Sequence, residues 1–205
     1  RVLINPSESL PEVHLLSNGH YHVMVNSAGA GYSRWNDLSV TRWREDSTLD
    51  CWGSFCYVRD VDSGKFWSVG YQPTLTPGAS YEAIFAESKA EFRRRDDNIE
   101  THTEISVSPE DDIELRRITL NNCSNRTRTI ELTSYAEVVL APGGQDLSHP
   151  AFSSLFVQTE LHPGRQAILC TRRARSPEES PPWMFQVMTV RGEVVGKSSF
   201  ETDRM

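Results

Sequence analysis

Long apolar runs are missing from this 205-residue chain. No stretch approaches the roughly 20 apolar residues needed to cross a bilayer, and no secretory leader is visible. The chain begins at Arg1 and ends at Met205 and reads as a piece of a longer protein, so the missing leader says little about the parent. Cysteine is scarce: Cys51, Cys56, Cys123 and Cys170 show no close pairing pattern and are expected to be free buried thiols in a reducing compartment. Positive charge is in deficit, with 21 Lys and Arg against 28 Asp and Glu and a net charge of −7. That balance excludes a general nucleic-acid binder. The most basic run, Arg93-Arg94-Arg95, is followed at once by Asp96 and Asp97 and reads as a solvated strand end. No segment holds a helical period beyond about three turns, and no internal repeat is present. The nucleophile elbow, the phosphate-binding loop and the dinucleotide fingerprint are all absent, which removes those enzyme classes.

What is present is period-two alternation. Tyr21, Val23 and Val25 share one face of a strand over 20–25. Segments 55–61 and 65–71 flank Asp62-Ser63-Gly64, a short hairpin loop. A second pair is expected over 81–86 and 90–94. Ile99, Thr101, Thr103, Ile105 and Val107 alternate with Glu100, His102, Glu104 and Ser106. Ile113 and Leu115 keep one phase whereas Ile118 and Leu120 keep the other, which predicts a bulge or bend at Arg116-Arg117. A long strand over 130–140 and strands over 153–161, 166–171 and 183–190 complete the set. Eleven or more short strands point to an all-β fold, one large two-sheet antiparallel sandwich. Residues 1–205 are read as one domain, with 1–15 and 191–205 as linkers or extended ends.

The segment 18–52 is the most informative. Asn18-Gly19-His20-Tyr21-His22-Val23-Met24-Val25 leads into Ala28-Gly29-Ala30-Gly31-Tyr32-Ser33-Arg34-Trp35. Glycines accept positive φ, so a turn here is expected to present Tyr32, Ser33, Arg34 and Trp35 together. Ring faces beside a guanidinium and a hydroxyl suit the apolar face and hydroxyl edge of a sugar. Of 19 aromatic residues, 9 lie between Tyr32 and Tyr71. Trp43, Trp52, Phe55 and Trp67 are expected in the core, and Tyr32 and Trp35 on a rim.

The order of these residues resembles the N-terminal sandwich domain of glycoside hydrolase family 94, formerly glycosyltransferase family 36. Within the family the resemblance is to the C-terminal phosphorylase-like region of cyclic β-1,2-glucan synthases. It covers about residues 16–190 and rests also on Trp67-Ser68-Val69-Gly70-Tyr71-Gln72-Pro73, Leu132-Thr133-Ser134-Tyr135-Ala136-Glu137 and His149-Pro150-Ala151-Phe152-Ser153-Ser154-Leu155-Phe156-Val157. The resemblance implies a galactose-mutarotase-like supersandwich that precedes a linker helix and an (α/α)6 barrel. The family's general acid is an Asp of that barrel and phosphate is its nucleophile, so this piece is expected to be inactive alone.

Asp146-Leu147-Ser148-His149-Pro150-Ala151-Phe152 follows Pro142-Gly143-Gly144 and is expected to be a loop, where binding residues concentrate. Carried over from the family, His149 and Phe152 would contact an acceptor sugar, with Gln145 or Asp146 as hydrogen-bond partners. The plain alternative is a structural loop in which His149 caps a turn. His20 and His22 share a strand face, but a third zinc ligand, His14 or Glu45, is only a guess, so no metal and no cofactor is expected. Glu45, Asp46, Asp50, Glu100 and Glu104 supply carboxylates, yet nothing pairs them across a glycosidic bond.

The expected function is a non-catalytic, carbohydrate-associated domain that packs on the downstream barrel, shapes its sugar-acceptor side and helps form a homodimer. The implied parent is an inverting β-glucan phosphorylase or a cyclic glucan synthase, on the cytoplasmic side and associated with the inner membrane. Its implied ligand is a β-linked glucan or oligosaccharide, and nucleic acid is not a partner. The alternatives are a self-sufficient glucan-binding module and a purely structural or dimerisation domain.

Overall fold

Alternating sequence becomes antiparallel sheet through most of the computed structural model, which describes residues 1–8, 10–44 and 51–202. The chain divides into two compact units, Arg1–Glu137 and Val138–Met205. The first unit runs β1 (Val2–Leu3), β2 (Val13–Ser17), β3 (Tyr21–Asn26), β4 (Gly31–Trp35), β5 (Leu38–Thr41), β6 (Ser54–Asp60) and β7 (Phe66–Ser68). It continues with β8 (Ser80–Ala86), β9 (Lys89–Asp96), β10 (Ile99–Val107), β11 (Glu114–Asn122) and β12 (Ile130–Ala136). Five strands form one sheet in the order β1-β8-β9-β10-β11. Strands β5-β4-β3-β2 are neighbours in a second sheet, and β12-β6-β7 form a third.

The buried residues show how these sheets face one another. Leu16, Val23 and Val25 from β2 and β3 pack with Ala83, Phe85, Ala90, Phe92 and Ile105 of the five-stranded sheet. Cys56, Val58, Trp67 and Val69 pack with Ile99, backed by Ile118, Leu120, Ile130 and Leu132. The fold is thus all-β and a sandwich, with the five-stranded sheet forming one layer against the other two. Burying a full-sized apolar side chain contributes about 1.5–3 kcal/mol, so these two clusters are a large favourable contribution to the unit. The alternation over 99–105 reads correctly: Ile99, Thr101, Thr103 and Ile105 are all buried. The 62–64 hairpin also forms, with the Gly64 amide donating to the Asp60 carbonyl.

Two details differ from the sequence reading. No bulge interrupts β11, whose pairing with β10 runs unbroken from Glu114 opposite Val107 to Asn122 opposite Ile99. The phase change has another origin. Leu115 points outward, and Glu114 and Arg116 point inward as a mutually neutralised pair, Arg116 Nε donating to Glu114 Oε1 at 2.5 Å. The strand expected over 130–140 ends at Ala136. At the next residue, Glu137 accepts from Arg42 Nη1 at 2.5 Å, and its carbonyl accepts from the Arg42 amide.

The second unit contains β13 (Val138–Pro142), α1 (Gly143–Ser148), α2 (Pro150–Ser154), β14 (Val157–His162), β15 (Ala167–Arg172) and β16 (Met184–Val187). The last three pair antiparallel in the order β14-β15-β16. Among the described residues no helix is long and apolar enough to cross a membrane. Cys56 and Cys170 are buried, as expected, but Cys51 and Cys123 are exposed. Burial raises the Cys56 thiol pKa to about 11.

One buried ion pair organises the loops of the first unit. Arg94 has a fully buried side chain and donates to both carboxylate oxygens of Asp96, at 2.6 and 2.7 Å. Its remaining N–H groups reach the carbonyls of Gly70 and Thr76. Gly70 in turn abuts Gly29, where an added Cβ would lie 3.0 Å from the Gly70 Cα. The Ala28 carbonyl completes the contact by accepting from the amides of Tyr71 and Gln72. Breaking a buried pair by removing one partner costs about 3–5 kcal/mol, because the other charge is left unpaired. Arg94→Met should therefore lower unfolding free energy by that amount in urea titrations, and adding Asp96→Leu should restore part of it.

Candidate functional site

Strand β4 carries the first group of candidate residues. Gly31 opens it in a position only glycine fits, since a Cβ there would lie 1.9 Å from the Met24 carbonyl oxygen. Tyr32 to Trp35 were expected to project together from a turn, but they lie in a strand and alternate in direction. Ser33 sits opposite core-facing Val23 and Trp35 opposite Tyr21, whereas Tyr32 and Arg34 sit opposite Met24 and His22 on the other face. Hydrogen bonding between β3 and β4 imposes this split.

The inward group is tied into polar structure. Ser33 Oγ donates to Glu114 Oε2 at 2.6 Å, and its amide donates to Thr41 Oγ1 at 2.9 Å. Glu114 also takes Arg116 Nε, and Arg116 Nη1 donates to the Ser54 carbonyl at 2.5 Å. Burial, followed by the Glu114 charge, raises the pKa of the Tyr21 hydroxyl beside this cluster. Trp35 Nε1 donates to Asp112 at 2.6 Å in the turn before β11. The outward group is freer. Tyr32 is half-buried with its ring edge-on to Trp43, centroids 5.5 Å apart, and Arg34 is exposed without an ion pair among the described residues. Trp67 and Phe55 are buried as expected, while Trp43 and Trp52 are only partly buried. The Arg44 guanidinium lies over the Trp52 ring at 5.5 Å.

The second group lies in the other unit. The segment expected to be a loop forms α1 and α2, short helices joined at His149, and α2 begins with Pro150 at a position that favours it. The His149 imidazole makes no cap hydrogen bond. Asp146 is buried and Gln145 Oε1 accepts from Arg175 at 2.7 Å. Phe152 is 59% exposed and stacks edge-on against Phe156 at 5.0 Å. Buried Arg172 supports the segment by donating to the carbonyls of Val139 and Ser153, with its guanidinium 5.5 Å from the Phe156 ring. Its pKa is lowered chiefly by burial.

Three groups at metal-binding separation, Glu91, His102 and Glu104, meet on the five-stranded sheet. Protein cations already fill this cluster. Lys89 Nζ bridges Glu91 at 2.7 Å and Glu104 at 2.9 Å, Arg93 and His102 reach Glu91, and Arg117 Nε reaches Glu104 at 2.6 Å. The Glu91 carboxyl is held down to about 2, first by the Lys89 hydrogen bond, and Glu104 is lowered by Lys89 and Arg117. Asp60 behaves alike: Arg128 and Ser63 hold it down to about 2. These carboxylates are held ionised, opposite to the raised-pKa acid that glycoside hydrolysis requires. Of the carboxylates considered from sequence, Glu45, Asp46 and Asp50 lie outside the described residues. Sequence reasoning missed the roles of Glu114, Asp112 and Arg172, whose partners are far away in the chain. The only local hint was the out-of-phase Glu114-Leu115-Arg116 triplet.

The chain belongs to the family described as glycosyl hydrolase 94, supersandwich domain, whose model matches residues 1–205. It is 40% identical over 204 residues to the cyclic beta-(1,2)-glucan synthase NdvB of Rhizobium meliloti (strain 1021), a match covering 100% of this chain and 7% of that protein. It is 26% identical over 168 residues to the N,N'-diacetylchitobiose phosphorylase of Vibrio proteolyticus, covering 80% of this chain and 21% of that protein. The 3-O-beta-D-glucopyranosyl-beta-D-glucuronide phosphorylase of Paenibacillus borealis matches at 25% over 131 residues, 64% of this chain and 16% of that protein. The chain therefore spans only a small part of these relatives.

The two faces of β4 should separate on mutation. Ser33→Ala removes the shorter of two hydrogen bonds to the partly buried Glu114 Oε2 and should cost about 1–3 kcal/mol, whereas Arg34→Ala should stay within about 0.5 kcal/mol of the parent; chemical denaturation of both variants measures the difference. Acid should act through Glu91. Its pKa is depressed on folding, so its stabilisation is complete above the ordinary 4.5 and is lost as pH falls toward about 2. Glu91→Gln should flatten the decline of melting temperature between those pH values.

Proposed function

We propose that this supersandwich domain is a non-catalytic partner of a catalytic region in the same polypeptide, an (α/α)6 barrel, and shapes the sugar-acceptor side of its site. The parent on this reading is a cyclic β-1,2-glucan synthase or an inverting β-glucan phosphorylase, acting on β-linked glucan. It works on the cytoplasmic side and is associated with the inner membrane. The domain is read as one folding unit over 1–205 that also contributes to a homodimer.

The observation that carries this reading is the match over 1–205 to a supersandwich model, combined with the state of the carboxylates. Glu91, Glu104 and Asp60 are each held ionised by arginine, lysine or serine donors, so they serve as structural anions rather than proton donors. Among the candidate residues, those left available for a partner or a sugar are Arg34, with its planar fork of donors, and Phe152, with an exposed ring. Tyr32 and Trp35 flank Arg34 along β4, and His149 with Gln145 and Asp146 flanks Phe152 along α1 and α2.

A self-sufficient glucan-binding module is the second reading, favoured by the 59% exposure of Phe152. Steady-state kinetics of the longer polypeptide decides between them. Arg34→Ala and Phe152→Ala should raise KM for the acceptor sugar about tenfold, equivalent to about 1.4 kcal/mol, with unfolding transitions unchanged. Unaltered kinetics in both variants would remove the acceptor-side role, and binding of glucan by the chain alone that is lost in Phe152→Ala would favour the module.

A further inference from the structure

The outer face of the five-stranded sheet is polar at every outward position of β9 and β10, from Lys89 to Arg95 and from Glu100 to Ser106. Pairing registers place its side chains in cross-strand rows. One row runs Ser80, Arg95, Glu100, Asn121, and the next runs Glu82, Arg93, His102, Thr119, each taking one residue from β8, β9, β10 and β11. Together these rows line an open groove of about 430 Å³. Four strands at about 4.8 Å spacing give each row a length of about 14 Å, enough to lie under more than one pyranose ring.

Charge and hydrogen-bonding capacity define what such a groove accepts. Arg93 and Arg95 are balanced by Glu82 and Glu100, while the charge of Arg94 is spent on Asp96 beneath the sheet. The groove therefore offers no net field for an anion or a cation, yet its floor is dense in planar donors and acceptors. Part of that capacity is already used internally. Arg95 reaches Glu100 at 3.6 Å, Asn121 donates to Glu100 at 3.2 Å, and His102 shares Glu91 with Arg93. Ser80, Glu82 and Thr119 make no side-chain hydrogen bond among the described residues, although all three face the groove. A hydroxyl, a carboxylate and a second hydroxyl are thus left open around two guanidiniums and an imidazole.

We propose that this groove binds an uncharged polyhydroxylated ligand, an oligosaccharide lying across strands β8 to β11. Vicinal hydroxyls both donate and accept, so they can complete Glu82, Thr119 and Ser80 while bridging the unused N–H groups of Arg93. No aromatic side chain lines the groove, so binding rests on hydrogen bonds and is weak and in fast exchange. None of its residues belongs to the candidate groups on β4 or in 145–152, so this proposal stands or falls separately from the acceptor-side role.

Heteronuclear NMR titration of the 205-residue chain tests it, with the β-1,2-linked glucose disaccharide and cellobiose as probes and inorganic phosphate as the charged control. The disaccharides should move the amides of β9–β11 and the His102 ring signals in a saturable way, and phosphate should not. Glu82→Gln and Thr119→Val should each raise the Kd about fivefold, the loss expected for one ligand hydrogen bond, without lowering the melting temperature. Arg34→Ala should leave the groove shifts unchanged, which separates this site from the acceptor reading. The proposal is overturned by a flat response to both sugars, by phosphate shifts of equal size, or by a Kd that neither groove variant alters.

Discussion

The bidentate pairing of Arg94 with Asp96 is the interaction on which the rest of the first unit depends. A guanidinium with no solvent exposure cannot stay charged without donors satisfied on every side, and here two carboxylate oxygens and two backbone carbonyls satisfy them. Those carbonyls belong to Gly70 and Thr76, so the pair fixes the loop that follows β7. Gly70 then presses on Gly29, which sets the turn between β3 and β4 and hence the direction in which β4 leaves it. The entry of the chain into β4 therefore rests on a pair about sixty residues further along, while pairing with β3 sets the alternation of Ser33, Arg34 and Trp35.

Polar residues organise this sandwich more than its apolar content suggests. Glu114 and Arg116 occupy inward positions on β11 that an ordinary sheet would give to aliphatic side chains, and they hold Ser33 and the Ser54 carbonyl. Asp60 and Arg128 form a second nearly inaccessible pair, at 2.7 Å. On the outer face of the five-stranded sheet, by contrast, acids and bases share cross-strand rows, and Glu82 is left without an internal hydrogen bond among the described residues. Buried polar networks favour one register, while unmet groups on an open face remain available to a ligand.

In the second unit, Arg172 does comparable work over a shorter span. It gathers the Val139 carbonyl, the Ser153 carbonyl and the Phe156 ring around one guanidinium, which is how two helices of five and six residues keep their place. Helices so short are not stable by propensity, since nucleation fixes several residues for one hydrogen bond. That explains why 143–152 read as a loop and 153–154 as the start of a strand in sequence, with only Pro150 hinting at a helix start.

The sequence by itself determined the core-facing phase of β3 and β10. Val23, Val25, Ile99 and Ile105 are buried because successive strand residues must point oppositely, a property of the local backbone that a period-two pattern reports directly. It also carried the family resemblance, through blocks such as 67–73 whose order survives in the linear chain. It misread Tyr32 to Trp35 as a cluster on a turn, because glycine marks where a turn is allowed and not where a strand resumes. Only the tertiary structure decided that Ser33 meets Glu114 across 81 residues, that Trp35 meets Asp112 across 77, and that Lys89 neutralises two glutamates on neighbouring strands. Such pairings depend on which strands become neighbours and in what register. No local pattern encodes that, because the free energy that selects it comes from burying both clusters at once.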